Sequence, residues 1–343
     1  MACAARCAPL CHADSAREPC AAFGMPLAAP GALPRLQPPQ GERPLSRERA
    51  DMKIHHLNCI STCPAGGRLM DGRSPPWAWR GRLCCHCVLL ELDSGGLALV
   101  DTGLGTRDVR DPRSRLSAFF LALVKPEWRE SMTARRQIEA LGFSAEDVRH
   151  IVLTHLDFDH AGGLDDFPNA IVHMMQREAD VALLQESWMD RQRFRPQQWS
   201  SRPRWRFYEA NEGEQWYGFA RARPLDGLPP EIALVPLSGH TFGHAGVAMR
   251  GLDRWLLLAG DAYFHVDEMS LERPGCPVGL RFYQWMLEHD RAARLDNRRR
   301  LRELIRSDGD SVLVFSGHDT AEFERLAGRR SAMPVEAAAR HPA

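Results

Sequence analysis

The sequence has no excess of charge of either sign. Its 343 residues contain 44 Lys and Arg and 44 Asp and Glu, so the formal net charge is zero at pH 7. Proteins that attract nucleic acid or anionic membranes through long-range electrostatics carry a surplus of positive charge. The balanced composition therefore argues against nucleic acid and against a membrane surface as partners.

Long apolar runs are absent as well. No stretch approaches the roughly 18 apolar residues that a membrane-spanning helix needs, so no such helix is predicted. A secretory signal is the alternative use of an N-terminal segment, but residues 1–10 have no uninterrupted apolar core and contain Pro9. We therefore expect a cytoplasmic protein whose ten cysteines are reduced thiols. Cys84, Cys85 and Cys87 lie in an apolar run and are expected to act as small buried hydrophobic residues.

The first 51 residues differ from the rest of the chain. They are rich in Ala, Pro, Arg and Cys, and six prolines after residue 25 break any periodic pattern. We expect residues 1–51 to be disordered or to come from an over-extended translation start upstream of Met52. One folded domain is predicted at 52–330, followed by a flexible tail at 331–343. The 44% hydrophobic content is enough for a substantial core.

A dense group of potential metal ligands follows an apolar run at 148–154. His155, Asp157, Asp159 and His160 fall within six residues, and three small residues come directly after them. Imidazole and carboxylate are the usual ligands of Zn, Fe and Mn in proteins. An apolar run of this length predicts a buried strand, so these ligands lie at a strand end. The pattern indicates a metal site.

Three further ligand-type residues share one local context. Each follows an apolar run and comes directly after a glycine; they are His240, Asp261 and His318. Strands are predicted at 53–58, 83–92, 96–100, 148–154, 170–175, 232–237, 244–250, 254–260 and 311–316. Helices are predicted at 131–141, 176–186 and 279–306. The many arginines of the last helix are expected on a solvated face, since its leucines form a core-facing side.

The order of these motifs is similar to that of the metallo-β-lactamase superfamily. Val100-Asp101-Thr102-Gly103 comes first, the His/Asp run second, and the three Gly-His and Gly-Asp pairs follow. The resemblance covers about residues 52–327. It implies an α/β protein with a four-layer αβ/βα sandwich and a one- or two-metal site at one edge, between the two sheets.

The resemblance also implies a ligand set for two metals. The first metal would be held by His155, Asp157 and His240, the second by Asp159, His160 and His318, with Asp261 bridging the two. Asp101 would be a buried structural acid near the site. The sequence departs from the family at Asp157, where a second histidine is usual.

The aspartate at position 157 changes the expected charge balance. Two divalent ions would be balanced by three carboxylates and one hydroxide, whereas the usual ligands leave one positive charge. We therefore expect two divalent ions, with Zn first and with Fe or Mn accepted because of the harder oxygen ligand. Flavodiiron proteins, which resemble this scaffold, also carry an acid there.

The activity implied is that of the lactonase and glyoxalase II branches. A hydroxide bridging two metals would attack a small ester, thioester or lactone. Asp159 would orient the hydroxide and pass a proton to the leaving group. The alternative is a di-iron oxidoreductase, suggested by Asp157, although only 25 residues follow His318, too few for the usual flavin domain. A non-catalytic binder is disfavoured because all seven ligand positions carry coordinating side chains.

Two residues are predicted to bind the small-molecule substrate. Lactonases of this superfamily use a tyrosine shortly after the bridging aspartate, and Tyr263 lies two residues after Asp261. His244, four residues after His240, is predicted to orient that ligand or the substrate. The segment 186–223, rich in Trp and Arg, is expected to form a wall or lid of the substrate pocket. A homo-oligomer contact is the alternative for that segment.

Overall fold

The computed structural model describes residues 52–199 and 204–335. The predicted extension at 1–51 and the end of the tail at 336–343 lie outside these residues. Twelve strands in the described part form two six-stranded sheets. The first sheet contains β1 (Lys53–Asn58), β2 (His86–Glu91), β3 (Leu97–Val100), β4 (Val148–Val152), β5 (Ile171–Met175) and β6 (Trp205–Tyr208). The second contains β7 (Glu214–Trp216), β8 (Phe219–Pro224), β9 (Ile232–Pro236), β10 (Ala245–Arg250), β11 (Trp255–Leu258) and β12 (Val312–Phe315).

Strand order explains why some strand ends share an edge. In the first sheet, β1 to β6 are neighbours in sequence order, and β3, β4, β5 and β6 run parallel. In the second sheet the order is β12-β11-β10-β9-β8-β7. There β9 and β11 are both antiparallel to β10, and β12 is parallel to β11. The carboxyl ends of β9, β11 and β12 therefore lie at one edge of the second sheet.

The two sheets face each other across an apolar interior. Val88 and Val100 of the first sheet and Leu234, Val247 and Phe315 of the second belong to one buried cluster without exposed surface. Burial on both faces explains why the strands read as apolar runs rather than as an alternating pattern.

Helices cover the outer face of each sheet. The helices in the described residues are α1 (Arg68–Asp71), α2 (Thr106–Arg110), α3 (Pro112–Arg115), α4 (Ala118–Val124), α5 (Ala134–Ala140), α6 (Phe158–Ala161), α7 (Gln176–Leu184), α8 (Trp188–Arg193), α9 (Pro196–Trp199), α10 (Val278–Leu287), α11 (Arg291–Asp308) and α12 (Thr320–Ala327). Ile138 of α5 and Ala182 of α7 pack on the first sheet. Leu301 and Leu304 of α11 pack on the second. The predicted helix, sheet, sheet and helix layers are confirmed.

The prediction of one helix at 279–306 is wrong. Two helices, α10 and α11, meet at Glu288–Asp290, where the Asp290 carboxylate accepts a hydrogen bond from the Ala293 amide and begins α11. The arginines of α11 are not all solvated either. Arg294 is 3% exposed and pairs with Glu288, with 2.6 Å between Nη2 and Oε2.

The segment 186–223 does not form a single lid. Residues 205–208 form β6 at the edge of the first sheet, and β7 and β8 extend the second sheet. The sequence did not reveal these strands because β6 and β7 are sheet edges and β8 keeps several residues exposed, so all three tolerate charged residues. Only its first part, with α8 and α9, approaches the predicted metal ligands.

The first five residues of the predicted tail at 331–343 are part of the described structure. Ser331 is 2% exposed, and its carbonyl accepts a 2.6 Å hydrogen bond from the Asn58 side chain. The Val335 amide donates to Gln137 Oε1 at 3.3 Å. These contacts attach residues 331–335 to the domain. Among the helices that the structure describes, none has the length and apolarity needed to cross a bilayer.

Candidate metal centre

All seven predicted ligands lie at the ends of strands that share an edge. The His/Asp run follows β4, and Asp101 follows the neighbouring β3. The other three ligands follow β9, β11 and β12 of the facing sheet; they are His240, Asp261 and His318. Because both sets of strand ends meet at the same edge of the sandwich, residues up to 163 positions apart in the chain converge there.

The first ligand group contains His155, Asp157, His240 and Oδ2 of Asp261. Nε2 of His155 is 3.3 Å from Asp157 Oδ2 and 3.7 Å from Asp261 Oδ2. Nε2 of His240 is 3.0 Å from Asp157 Oδ2 and 3.2 Å from Asp261 Oδ2. Ligand atoms around a tetrahedral Zn²⁺ with bonds of about 2.0 to 2.1 Å lie roughly 3.3 Å apart. The spacing of this group matches that geometry.

The second ligand group contains Asp159, His160, His318 and Oδ1 of Asp261. Nε2 of His160 lies 3.3 Å from both His318 Nε2 and Asp261 Oδ1. His318 Nε2 is 3.1 Å from Asp261 Oδ1 and 3.9 Å from Asp159 Oδ2. Asp261 thus contacts both ligand groups: Oδ2 faces His155 and His240, and Oδ1 faces His160, while His318 Nε2 lies 3.1 Å from Oδ1 and 3.2 Å from Oδ2. This position suits a bridging carboxylate.

Two buried polar atoms without hydrogen-bond partners indicate whether these residues can bind a cation. His155 Nε2 and Asp261 Oδ1 are inaccessible to solvent and have no hydrogen-bond partner among the described residues. Buried polar atoms are almost always hydrogen-bonded or bound to an ion, because an unsatisfied one costs about 1 to 3 kcal/mol. Both atoms point into the cluster of acceptors and imidazoles. The residues therefore fit divalent cations.

Asp101 orients one of the histidine ligands from behind. Its Oδ2 is 2.8 Å from His160 Nδ1, and its oxygens accept 2.8 Å hydrogen bonds from the amide and hydroxyl of Thr154. With Nδ1–H donated to the carboxylate, Nε2 of His160 presents its lone pair to the cluster. Asp101 is 1% exposed and has the position expected of a structural acid.

Glu178 of α7 joins the loops that carry the first ligand group. Its carboxylate accepts hydrogen bonds from the Leu156 amide at 2.9 Å, the Thr241 hydroxyl at 2.6 Å and the Gly243 amide at 3.2 Å. Burial raises the pKa of Glu178 to about 7. This side chain holds the loop after β4 against the loop after β9.

Arg193, at the end of α8, is a site residue that the sequence did not reveal. Its guanidinium is 0% exposed and binds Asp157 through two hydrogen bonds, Nε to Oδ1 at 2.6 Å and Nη2 to Oδ2 at 2.5 Å. Although burial opposes the shift, this guanidinium helps hold the pKa of Asp157 well below its usual value. The predicted charge balance is therefore wrong, because Arg193 adds one positive charge and restores the value expected with histidine at position 157.

The Tyr263 hydroxyl, which is predicted to contact the substrate, binds another side chain in the structure. The Tyr263 hydroxyl donates to Glu322, 3.0 and 3.1 Å from its two oxygens, and the ring is buried in the cluster beneath α11. The next residue takes the place beside the metal ligands. The ring of Phe264 stacks on His318 with centroids 4.8 Å apart and lies 5.9 Å from the His240 ring. A one-residue shift along the chain turns the side chain to the other side.

His244, which is predicted to orient His240 or the substrate, has partners at both ring nitrogens. Its Nδ1 donates to the Leu237 carbonyl at 2.9 Å, and its Nε2 accepts a 2.9 Å hydrogen bond from the Asp261 amide. Burial, together with His240, lowers the pKa of His244 to about 3, so the ring is neutral. These contacts hold His244 against the backbone of Asp261.

Tyr283 of α10 is a second site residue without a sequence signal. Its ring lies 6.0 Å from that of Phe264, which itself stacks on His318. Burial and then the carboxylates of Asp159, Asp261 and Asp157 raise the pKa of Tyr283 well above its ordinary value.

Cys85 is buried, as the sequence suggests, but it is not simply a hydrophobic residue. Its Sγ lies 4.0 Å from Asp159 Oδ2, and it can be grouped with Asp159 and His318 as a potential ligand. Burial and then Asp159 raise the pKa of the thiol well above its ordinary value. The structure thus adds a sulfur donor to the edge of the second ligand group.

Sequence comparison identifies the family. Residues 80–318 match the family model of the metallo-beta-lactamase superfamily. A probable metallo-hydrolase of Mycobacterium tuberculosis is 40% identical over 268 residues, which cover 78% of this chain and 80% of that protein. The N-acyl homoserine lactonase AiiA of Bacillus thuringiensis subsp. kurstaki is 25% identical over 261 residues, 75% of this chain and 91% of that one.

Solved structures agree on the fold. The AiiA lactonase of B. thuringiensis with N-decanoyl-L-homoserine bound has a TM-score of 0.60 at 21% identity and covers 80% of this chain and 96% of its own. AidC, a dizinc lactonase, has a TM-score of 0.52 at 17% identity and covers 78% and 87%. At such identities the likeness concerns the fold alone. Together with the family match, it shows that the chain belongs to the metallo-β-lactamase superfamily and is a metallo-hydrolase.

Proposed function

We propose that the protein hydrolyses a small carboxylic ester, thioester or lactone with an apolar acyl part. The observation that carries this proposal is the pair of ligand groups that share Asp261, with the Tyr283 ring 6.0 Å from Phe264, which itself stacks on His318. The lactonase relatives support the same substrate class. The comparisons give the di-iron oxidoreductase alternative no support.

Asp159 is the most exposed of the seven predicted ligands, at 8%. Asp157 is 4% exposed and lies against the fully buried Arg193. Tyr283, at 9%, packs on Phe264, whose ring stacks on His318. We infer that the substrate enters over Asp159 and Tyr283.

The surroundings of this opening are apolar and aromatic. Phe264 and Tyr283 belong to a cluster that also contains Phe120 and Phe158, with ring centroids 4.6 Å apart. Trp188 of α8 adds an indole 54% exposed to solvent. An apolar wall with few polar groups favours a substrate whose acyl part is hydrocarbon.

The residues of the site would have separate roles in the reaction. Two bound divalent ions would supply Lewis acidity toward the carbonyl and would lower the pKa of a water molecule. Asp159, through its carboxylate oxygen that does not bind metal, would take up the proton of the attacking water and pass it to the leaving group. The Tyr283 hydroxyl would donate a hydrogen bond to the carbonyl oxygen as negative charge develops there.

The nature of the metal and the cellular location remain parts of this proposal. We propose two divalent ions, with Zn first and with Fe or Mn accepted because Asp157 supplies an oxygen ligand. We also propose a cytoplasmic protein, which is supported by free thiols at all six cysteines that the structure describes.

A substrate panel with metal analysis tests the proposed activity. Protein of measured Zn, Fe and Mn content is assayed on lactones, thioesters, phosphodiesters and β-lactams. Turnover of lactones or thioesters that a chelator abolishes is expected. Phosphodiester or β-lactam turnover without ester turnover would overturn the proposal.

Asp159→Asn tests the proton-transfer role. The variant should keep its metal content and lose ester turnover by a factor of about 10² to 10⁴. Asp253→Asn, a change at an exposed loop residue, is the matched control and should behave like the unchanged protein. Equal rates for the two variants would contradict the role of Asp159.

A further inference from the structure

We propose that Arg193 makes the two metal subsites unequal, so that the second ligand group binds its cation first and the first ligand group binds a cation more weakly. The inference rests on the proposed pair of metal ions but not on the substrate. It concerns a residue for which the sequence motifs of the site provide no role.

Arg193 competes for the atoms that the first cation needs. Its Nη2 lies 2.8 Å from Nε2 of His240, the nitrogen that also faces Asp157 Oδ2 at 3.0 Å and Asp261 Oδ2 at 3.2 Å. An imidazole nitrogen has a single lone pair in the ring plane. His240 Nε2 therefore cannot accept a hydrogen bond from Arg193 and bind a cation at the same time.

The guanidinium is held in this place by other parts of the fold. Its Nη1 donates to the Leu287 carbonyl at 2.8 Å and lies 3.1 Å from His289 Nδ1. His289 in turn lies 2.7 Å from Asp190 of α8 through its Nε2. Displacing Arg193 would break its contacts with the junction of α10 and α11. The fold therefore fixes the guanidinium in this position.

The charges of the site also favour cation binding at the second ligand group. Arginine keeps its positive charge at every relevant pH, and here it cancels the charge of Asp157. The second ligand group has Asp159 and a share of Asp261, and no arginine or lysine forms an ion pair with Asp159 among the described residues. Cys85 adds a potential sulfur donor on that side. A divalent cation is therefore attracted more strongly to the second ligand group.

Metal titration of the apoprotein tests the inference without any substrate. Zn²⁺ is titrated by calorimetry and Co²⁺ by its visible absorption. Two binding steps are expected, with affinities that differ by at least about tenfold. His318→Ala should remove the tight step, and His155→Ala should remove the weak step. Two steps of equal affinity, or the reverse assignment, would overturn the inference.

Substitution of Arg193 gives the sharper result. Arg193→Met removes the competing donor and the charge, so the weak step should become at least about tenfold tighter while the tight step stays unchanged. Arg193→Lys keeps the charge without the forked geometry and should give an intermediate affinity. A weaker step in Arg193→Met would mean that the arginine orients Asp157 for the metal, contrary to our inference.

The outcome is separable from the proposed hydrolase activity. Two metal-binding steps of unequal affinity without turnover of any ester would support the inference and reject the substrate class. Ester turnover with two metal-binding steps of equal affinity would support the substrate class and reject the inference. If Arg193→Met does not fold, Arg193→Lys and the two histidine variants still decide the matter by their titrations.

Discussion

Asp157 and Arg193 are a pair whose net charge is close to zero. A histidine at position 157 would also be a neutral ligand, so the arginine offsets the effect of the aspartate on the charge of the site. The remaining difference is the ligand atom, an oxygen that is harder than nitrogen. Any acceptance of Fe or Mn must therefore come from that oxygen and not from a lower overall charge.

The role of Tyr283 is a prediction at the scale of one residue. Tyr283→Phe removes the only hydroxyl that we assign to the substrate carbonyl and leaves the ring in place against Phe264. We expect kcat on a lactone or thioester to fall by about 10- to 100-fold, with little change in KM. Steady-state kinetics at saturating metal provide the measurement.

Tyr263→Phe is the matched control for this change. It deletes a hydroxyl that donates to Glu322 away from the metal ligands, so kcat should change little. Loss of that buried hydrogen bond should lower the free energy of unfolding by about 1 to 3 kcal/mol. A fall in kcat for Tyr263→Phe that exceeds the fall for Tyr283→Phe would reverse the two assignments.

At the scale of elements, the loops after β9 and β4 are held by neighbouring helices. The Gly239 carbonyl accepts hydrogen bonds from the amides of His289 and Asp290, at 3.0 and 2.9 Å. Gly239 has φ of 135°, and a Cβ there would lie 2.3 Å from the Arg294 amide nitrogen. The first turn of α11 therefore determines where His240 lies.

Gly239→Ala should damage both the fold and the metal site. The positive φ and the contact with the backbone of α11 are expected to lower the free energy of unfolding by about 2 to 4 kcal/mol. Because His240 is the next residue, metal content after dialysis should also fall. Urea denaturation and metal analysis measure the two effects.

Gly218→Ala distinguishes the cost of a positive φ from the cost of a steric contact such as the one between residue 239 and α11. Gly218 also has a positive φ, 81°, but no atom lies within 4 Å of its Cβ position. It should cost about 1 to 2 kcal/mol through the left-handed conformation alone and leave metal content unchanged. If the two alanine variants lost equal stability and metal, the contact with α11 would not matter.

Elements also differ in how well the sequence predicted them. Strands buried on both faces, such as β3 and β9, were predicted to within one or two residues because their apolar runs are continuous. The edge strands β6 and β7, and β8 next to β7, were missed because their exposed positions allow charged residues. The break between α10 and α11 was missed because the sequence does not distinguish Asp290 as the N-cap of a second helix from Asp290 as a surface residue of one long helix.

At the scale of the whole molecule, stability should depend on pH through buried carboxyl groups. Burial and then Asp319 raise the pKa of Glu322 from 4.5 to about 8. The folded protein then keeps a proton that the unfolded chain releases. The stabilisation is complete below pH 4.5 and is lost as the pH rises to about 8, at about 1.4 kcal/mol per pH unit within that window.

Glu322→Gln tests this dependence. Glutamine resembles the protonated acid and can still bond to Ser316 and Tyr263, which contact the glutamate now. Relative to the variant, the unchanged protein should lose stability as the pH rises from 5 to about 8. Urea denaturation at several pH values measures the difference. Parallel curves for the two proteins would contradict the raised pKa, and Glu303→Gln at an exposed site should give parallel curves.

The sequence by itself determined the family, the layered fold and which seven potential ligands follow the strand ends. These depend on local patterns, namely apolar runs, strand ends and the short His/Asp spacing, which are complete within a few residues. Only the tertiary structure decided that Arg193 reaches Asp157, that Tyr263 binds Glu322 and that Tyr283 packs on Phe264 next to His318. Such contacts join residues far apart in the chain, and they depend on how helices cross the edge of the sandwich. The spacing of residues along the sequence does not encode the distances between such side chains in the fold.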